Sequence, residues 1–133
     1  MSRSITPATP EPDRPRLKFG KSARLRSGPE FTKVRERGKS VQGRLIRVAR
    51  FFDSDSGPAR VGIITSRRVG GAVVRNRVRR RIRELVRHWL AEIPAGNWVV
   101  IIAKSSAAGA SFEDLRGEWL LLARRLSILP PLP

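Results

Sequence analysis

The chain has 133 residues, enough for one domain and too few for two comfortable ones, and its 40% hydrophobic content allows a modest single core. Lys and Arg number 28 against 11 Asp and Glu, a formal charge of +17 that goes far beyond solubility and points to a polyanionic partner, with nucleic acid ahead of an anionic membrane surface or an acidic substrate. The lack of cysteine excludes disulfides, zinc fingers and thiol chemistry, and no apolar run approaches the roughly 20 residues of a membrane span, so a cytoplasmic protein is expected.

Residues 1–20 carry Pro7, Pro10, Pro12 and Pro15 without apolar periodicity. They read as a disordered tail, unlike a secretory signal, ahead of a folded domain at 21–127. Ser27-Gly28-Pro29-Glu30 has the spacing of a capping box with proline in the first turn, so a helix of about three turns is predicted, with Phe31 and Val34 on one face and Gly38 as its stop. Residues 41–52 mix apolar and arginine positions, as in a strand with one wet face. The turn-rich Asp53-Ser54-Asp55-Ser56-Gly57-Pro58 joins them to a second strand at 61–66. This pattern predicts a hairpin, or a three-stranded meander if residues 41–52 bend.

The small apolar segment 69–74 leads into a long basic helix, predicted over 75–91 and stopped by Pro94 and Gly96. Projected at about 100° per residue, Val74, Val78, Ile82, Leu85, Val86 and Trp89 gather on one side. Asn76, Arg80, Arg83 and Arg87 lie opposite, with Arg77, Glu84 and Arg79 on the shoulders. Between residues 67 and 87 Glu84 is the only acid, against Arg67, Arg68, Arg75, Arg77, Arg79, Arg80, Arg81, Arg83 and Arg87. A solvated helix interleaves both signs, and this one does not. Arginine also suits forked contacts with phosphate. Gly70 and Gly71 allow backbone to approach a ligand, and they serve a tight connection equally well.

Trp98-Val99-Val100-Ile101-Ile102-Ala103 is a continuous apolar run of strand length, as in a central strand buried on both faces. Ser111-Phe112-Glu113-Asp114 is a second capping signature. It opens a helix to about residue 127 with Phe112, Leu115, Trp119, Leu122 and Leu126 inward, before a fraying tail at 128–133. Strand–helix–strand across residues 61–103 implies a crossover within one small sheet.

No self-contained active site is legible. His88 is the only histidine, which excludes a two-histidine acid–base ribonuclease site, and it falls at the edge of the helix's apolar face. Capping accounts for Glu30, Glu113 and Asp114; turn chemistry accounts for Asp53 and Asp55 better than a metal site does.

The run Arg67-Arg68-Val69-Gly70-Gly71-Ala72-Val73-Val74-Arg75-Asn76-Arg77-Val78-Arg79-Arg80-Arg81-Ile82-Arg83-Glu84 closely resembles the signature of the bacterial ribonuclease P protein subunit, whose hallmark is the central Arg-Asn-Arg. Glu30-Phe31, Gly38-Lys39-Ser40, Arg60-Val61-Gly62, residues 99–103 and Ser111-Phe112 extend the likeness over about residues 20–127. The resemblance implies an α+β, α-β-β-β-α-β-α sandwich with a left-handed crossover, like a domain of a small-subunit ribosomal protein. It implies as partners the catalytic RNA of ribonuclease P and precursor tRNA, with no membrane and no small-molecule substrate. The RNA, holding most of the magnesium, would remove the 5′ leader as an endoribonuclease. The protein, needing no cofactor and supplying no catalytic residue, would bind the leader, broaden the substrate range and lower the magnesium requirement.

Carried onto this chain, Arg75, Asn76, Arg77, Arg79, Arg80 and Arg83 match the motif that faces the catalytic RNA, and Arg87 continues that face. Phe31 matches an aromatic of the leader cleft, where stacking tolerates varied sequence; its competing role is core packing. Val34, Arg44, Arg47, Arg67 and Arg68 are further leader candidates. Arg35 stands where many members have a second aromatic, so leader contact there is expected to be electrostatic. The alternative reading is a ribosomal or other structural RNA-binding protein without a processing role; a third is a nonspecific DNA-compacting protein.

Overall fold

The first helix, α1 (Gly28–Arg37), starts where its capping residues dictate. Ser27 Oγ accepts the Glu30 N–H at 3.2 Å, and Glu30 Oε1 accepts the N–H groups of Ser27 and Arg26 at 3.1 and 2.7 Å. It ends at Gly38, where a side chain would run into the carbonyl oxygens of Arg50 and Val34. The computed structural model describes residues 20–130, so the expected tail at 1–20 lies almost wholly outside the described residues.

Four strands follow: β1 (Lys39–Gln42), β2 (Ile46–Phe52), β3 (Arg60–Thr65) and, after the second helix α2 (Ala72–Trp89), β4 (Asn97–Ala103). A third helix, α3 (Phe112–Arg125), completes the α-β-β-β-α-β-α order. The sheet order is β1-β2-β4-β3, with β1–β2 and β2–β4 antiparallel and β3–β4 parallel.

That order corrects the expected hairpin between residues 41–52 and 61–66. Residues 41–52 do break, at 43–45, into the antiparallel pair β1 and β2. But β3 does not pair with β2, because β4 lies between them, with Val48 opposite Ile101 on one side and Val61 beside Val99 on the other. The physical reason is burial. β4 is apolar on both faces and saves most water-exposed area in the middle of the sheet, whereas β1, with Lys39, Ser40 and Gln42 exposed, tolerates an edge. Parallel neighbours need a long crossover, which α2 supplies.

The helices cover opposite faces. α1 lies over Ala49 and Val100 with Val34 and Leu25. α2 and α3 lie over Val48, Val61, Val99 and Ile101 with Val78, Ile82, Leu85, Leu115, Trp119 and Leu122. The second cap holds as expected, with Ser111 Oγ accepting the Asp114 N–H at 3.0 Å. Ile128 and Leu129, assigned by sequence to the tail, are buried in this core. After α3 the chain turns through Ser127 (φ 59°), the Ser127 N–H donates to Arg124 O, and the Ile128 N–H donates to Ala123 O at 2.8 Å. This Schellman turn drives Ile128 back inward.

Candidate nucleic-acid interface

Helix α2 begins at Ala72, three residues before the predicted start, with Gly71 as an N-cap that makes no side-chain bond. Val78, Ile82, Leu85, Val86 and Trp89 are buried, as the projection placed them. Each such side chain contributes about 1.5–3 kcal/mol of burial. A like-charge pair one turn apart costs about 0.2–0.5 kcal/mol, so packing carries the helix despite seven arginines against one glutamate.

The arginines divide by what they touch. Arg79 donates to Thr65 Oγ1 at 2.6 Å and Asn76 Oδ1 at 3.0 Å; Arg77 donates to Ala108 O at 3.1 Å and Arg81 to Ala110 O at 2.5 Å. Glu84 lies 3.5 Å from Arg87 and 3.4 Å from His88, so the one acid is shared. Arg80 is exposed and its side chain has no protein partner among the described residues, whereas Nε of Arg75 and of Arg83 is buried without a partner beneath half-buried side chains. Burial, then the charges of Arg24, Arg79 and Arg87, lower the Arg83 pKa. Val73, in the first turn, is 78% exposed. This face presents cations that the protein itself leaves largely uncompensated, fixed on a rigid element.

A second basic surface lies against α1. Thr32, Arg35 and Glu36 of the helix and Ser40, Arg47, Ala49 and Ile102 of the sheet line a groove of about 490 Å³. Arg47 Nη2 donates to Ser40 Oγ at 3.0 Å. Arg35 is exposed at the rim. At the other end of this sheet face Lys33 Nζ sits 5.1 Å from the Phe51 ring centroid and 5.5 Å from that of Trp98, and Arg60 lies over Trp98 at 5.3 Å. Arg60 also pairs with Glu30 Oε2 at 2.7 Å and donates to Arg24 O at 2.9 Å, tying the segment before α1 to β3. The Glu30 pKa is lowered, chiefly by the Arg26 N–H, against an opposing desolvation effect, with Ser27 and Arg60 adding to the lowering.

The leader candidates do not share one surface. Arg35 and Arg47 meet in the groove. Val34, on the inner face of α1, is fully buried, so it belongs to the core and not to a contact surface. Phe31 is half-buried with its ring across Gly62, where a Cβ would fall 2.5 Å from Cζ; core packing accounts for most of its position. Arg67 and Arg68 are exposed in the 3₁₀ turn Arg67–Val69, which packs on the 3₁₀ turn Ser105–Gly109 beside the start of α2. Arg44, in the β1–β2 turn, is held from the side of α3. Sequence reasoning missed Ser40, Glu36 and Ala49 in the groove, because nothing local distinguishes them from ordinary strand and helix residues. Among the described residues no three His, Cys, Asp or Glu side chains gather into a group that could hold a metal, and no helix is long and apolar enough to cross a membrane.

A small α+β protein with an arginine helix anchored on one side and a groove beside another helix has the features of a polyanion-binding protein. The profile of the ribonuclease P family matches residues 19–127. The ribonuclease P protein component of Acidothermus cellulolyticus is 45% identical over 105 residues, 78% of this chain and 88% of that protein. The RNase P protein from Thermotoga maritima superposes with a TM-score of 0.67 at 30% identity, covering 76% of this chain and 96% of that one. The Staphylococcus aureus RNase P protein shares the fold, with a TM-score of 0.74 at 22% identity over 80% of this chain and 97% of that one. The chain belongs to the ribonuclease P protein family, the RNA-binding protein subunits of the endoribonuclease that processes tRNA 5′ ends.

Proposed function

We propose that the protein uses two separate surfaces in that role. The polar side of α2, with Arg75, Asn76, Arg77, Arg79, Arg80, Arg83 and Arg87, docks on the catalytic RNA. The groove holding Arg35 and Arg47 takes the 5′ leader of precursor tRNA, with Phe31, one turn earlier on α1, as a further contact. The observation that carries this division is the difference in charge compensation: α2 shares one acid among seven arginines, whereas the groove mixes Arg35, Arg47 and Glu36 around a concave apolar floor. A folded RNA offers many phosphates to a rigid cationic face. A single strand of varied sequence suits a groove that holds backbone by charge and bases by nonpolar contact.

The chemistry falls to the RNA subunit, which binds most of the magnesium; the protein contributes affinity for precursor over mature tRNA, a broader substrate range and activity at lower magnesium. Such a role places it in the cytoplasm with its substrates. Reconstitution tests the reading: precursor tRNA, catalytic RNA and low magnesium should give 5′ maturation only with the protein added. No stimulation would leave a structural RNA-binding role instead.

A further inference from the structure

The β1–β2 turn, residues 43–45, lies at the surface, yet its whole backbone is held by protein. The Gly43 N–H donates to Ile46 O at 2.9 Å, and Gly43 O accepts Lys104 Nζ at 2.9 Å. The Arg44 N–H donates to Glu118 Oε1 at 2.9 Å, and Arg44 O accepts the Ser106 hydroxyl. The Leu45 N–H donates to Glu118 Oε2 at 2.8 Å, and Leu45 O accepts the Lys104 N–H at 2.9 Å. The Ile46 N–H completes the set at 2.7 Å from the same Glu118 oxygen. Surface turns commonly leave such groups to water and stay mobile. Here a carboxylate 74 residues away in sequence gathers three successive N–H groups, each a charge-assisted bond. Gly43 permits the approach, since a Cβ there would lie 2.6 Å from Glu118 Oε1.

One polar group of the turn is left over. The Arg44 side chain is exposed and its guanidinium has no partner among the described residues. Its surroundings belong to the α2 surface and not to the groove. Ser106, which holds Arg44 O, sits in the turn Ser105–Gly109; Ala108 of that turn accepts Arg77, and the Arg67–Val69 turn packs on it. The Arg44 backbone, through its carbonyl, and the Arg77 side chain are therefore bonded to the same five-residue segment. The residues lining the α1 groove do not include Arg44.

We propose that Arg44 binds a phosphate of the catalytic RNA, extending the α2 surface across the Ser105–Gly109 turn, and that Glu118 is the positioning residue that holds Arg44 ready. The proposal rests on α2 docking on the catalytic RNA. Its physical advantage is preorganisation: the backbone of the turn is ordered before RNA arrives, so only the arginine side chain loses freedom on binding.

The test is binding of the full chain to the catalytic RNA across a salt series, with Arg80→Ala as a control for the α2 surface. Arg44→Ala should lower the slope of log affinity against log salt by about 0.7–0.9, the share of one phosphate, with thermal unfolding and the precursor-over-mature ratio unchanged. Glu118→Ala should weaken binding in the parent chain and add almost nothing once Arg44 is alanine. Ser106→Ala, which loosens the turn more gently, should repeat that non-additivity even if Glu118→Ala folds poorly. An unchanged salt slope for Arg44→Ala beside a weakened Arg80→Ala overturns the extension alone. Failure of Arg80→Ala to weaken binding overturns the α2 reading beneath it. Loss of leader preference in Arg44→Ala with intact RNA binding returns Arg44 to the leader and sinks the proposal. Equal losses from Glu118→Ala and Ser106→Ala in both backgrounds reduce Glu118 to a structural residue.

Discussion

The α2 face and the α1 groove are both basic, but they hold their charge in different ways. On α2 one acid stands among seven arginines: Glu84 serves Arg87 and His88, Arg80 finds no protein partner among the described residues, and Nε of Arg75 and of Arg83 is buried without one. On α1, Lys33, Arg35 and Arg37 alternate with Glu30 and Glu36, and Glu30 is committed to both the helix cap and Arg60. One surface is an array of cations with a single acid among them. The other is a balanced wall beside a concavity. Net charge near a site therefore says less than whether the protein has already answered that charge.

The comparison breaks most readily at α2. Replacing Arg80 and Arg83 together by alanine should lower the salt slope of catalytic-RNA binding by about 1.4–1.8, two phosphates' worth, while the precursor-over-mature ratio of assembled enzyme stays constant. A fall in that ratio with unchanged assembly would reverse the two surfaces. Arg35→Ala with Arg47→Ala should do the opposite, lowering the salt slope of leader binding by about 1.4 in a competition between precursor and mature tRNA. Arg35→Phe sharpens the point. It should hold leader affinity through stacking, worth about 1–3 kcal/mol per base, while making that affinity less sensitive to salt.

Two smaller effects test the scaffold. Glu30→Gln removes the charge from the cap and from the Arg60 pair together and should cost about 0.3–1 kcal/mol near neutral pH in chemical unfolding. Because the folded pKa lies below the ordinary 4.5, this contribution is complete above that pH and is lost as pH falls through the lower folded value. The two unfolding curves should converge in acid. Ser127→Gly relieves a left-handed backbone at φ 59° and should stabilise by about 1 kcal/mol without touching α2 or the α1 groove.

Local chemistry was readable along the chain. The capping boxes at Ser27 and Ser111 act over three residues, and the inner face of α2 repeats with the helix period, so each carries its own signal. The pairing of β2 with β4 was not readable, because it depends on which of several apolar strands gains most by sitting in the middle. Ile128 and Leu129 looked like a tail because their burial follows from a turn at Ser127 that has no glycine to mark it. The leader candidates were the least legible. Val34 and Arg35 are neighbours on α1, yet one is buried on its inner face and the other stands at the groove.

The sequence by itself determined that the protein meets a polyanion, that one arginine helix is anchored by its apolar side, and which motif that helix carries, because composition and helical period are local properties. Only the tertiary structure decided which cations stand together. It joined Arg67, Arg68 and Arg77 through the Ser105–Gly109 turn, sent Arg35 and Arg47 to a separate groove, and brought Glu118 across to the Arg44 turn. Such groupings follow from strand order and from hydrogen bonds between segments far apart in the chain, which no short window of residues encodes.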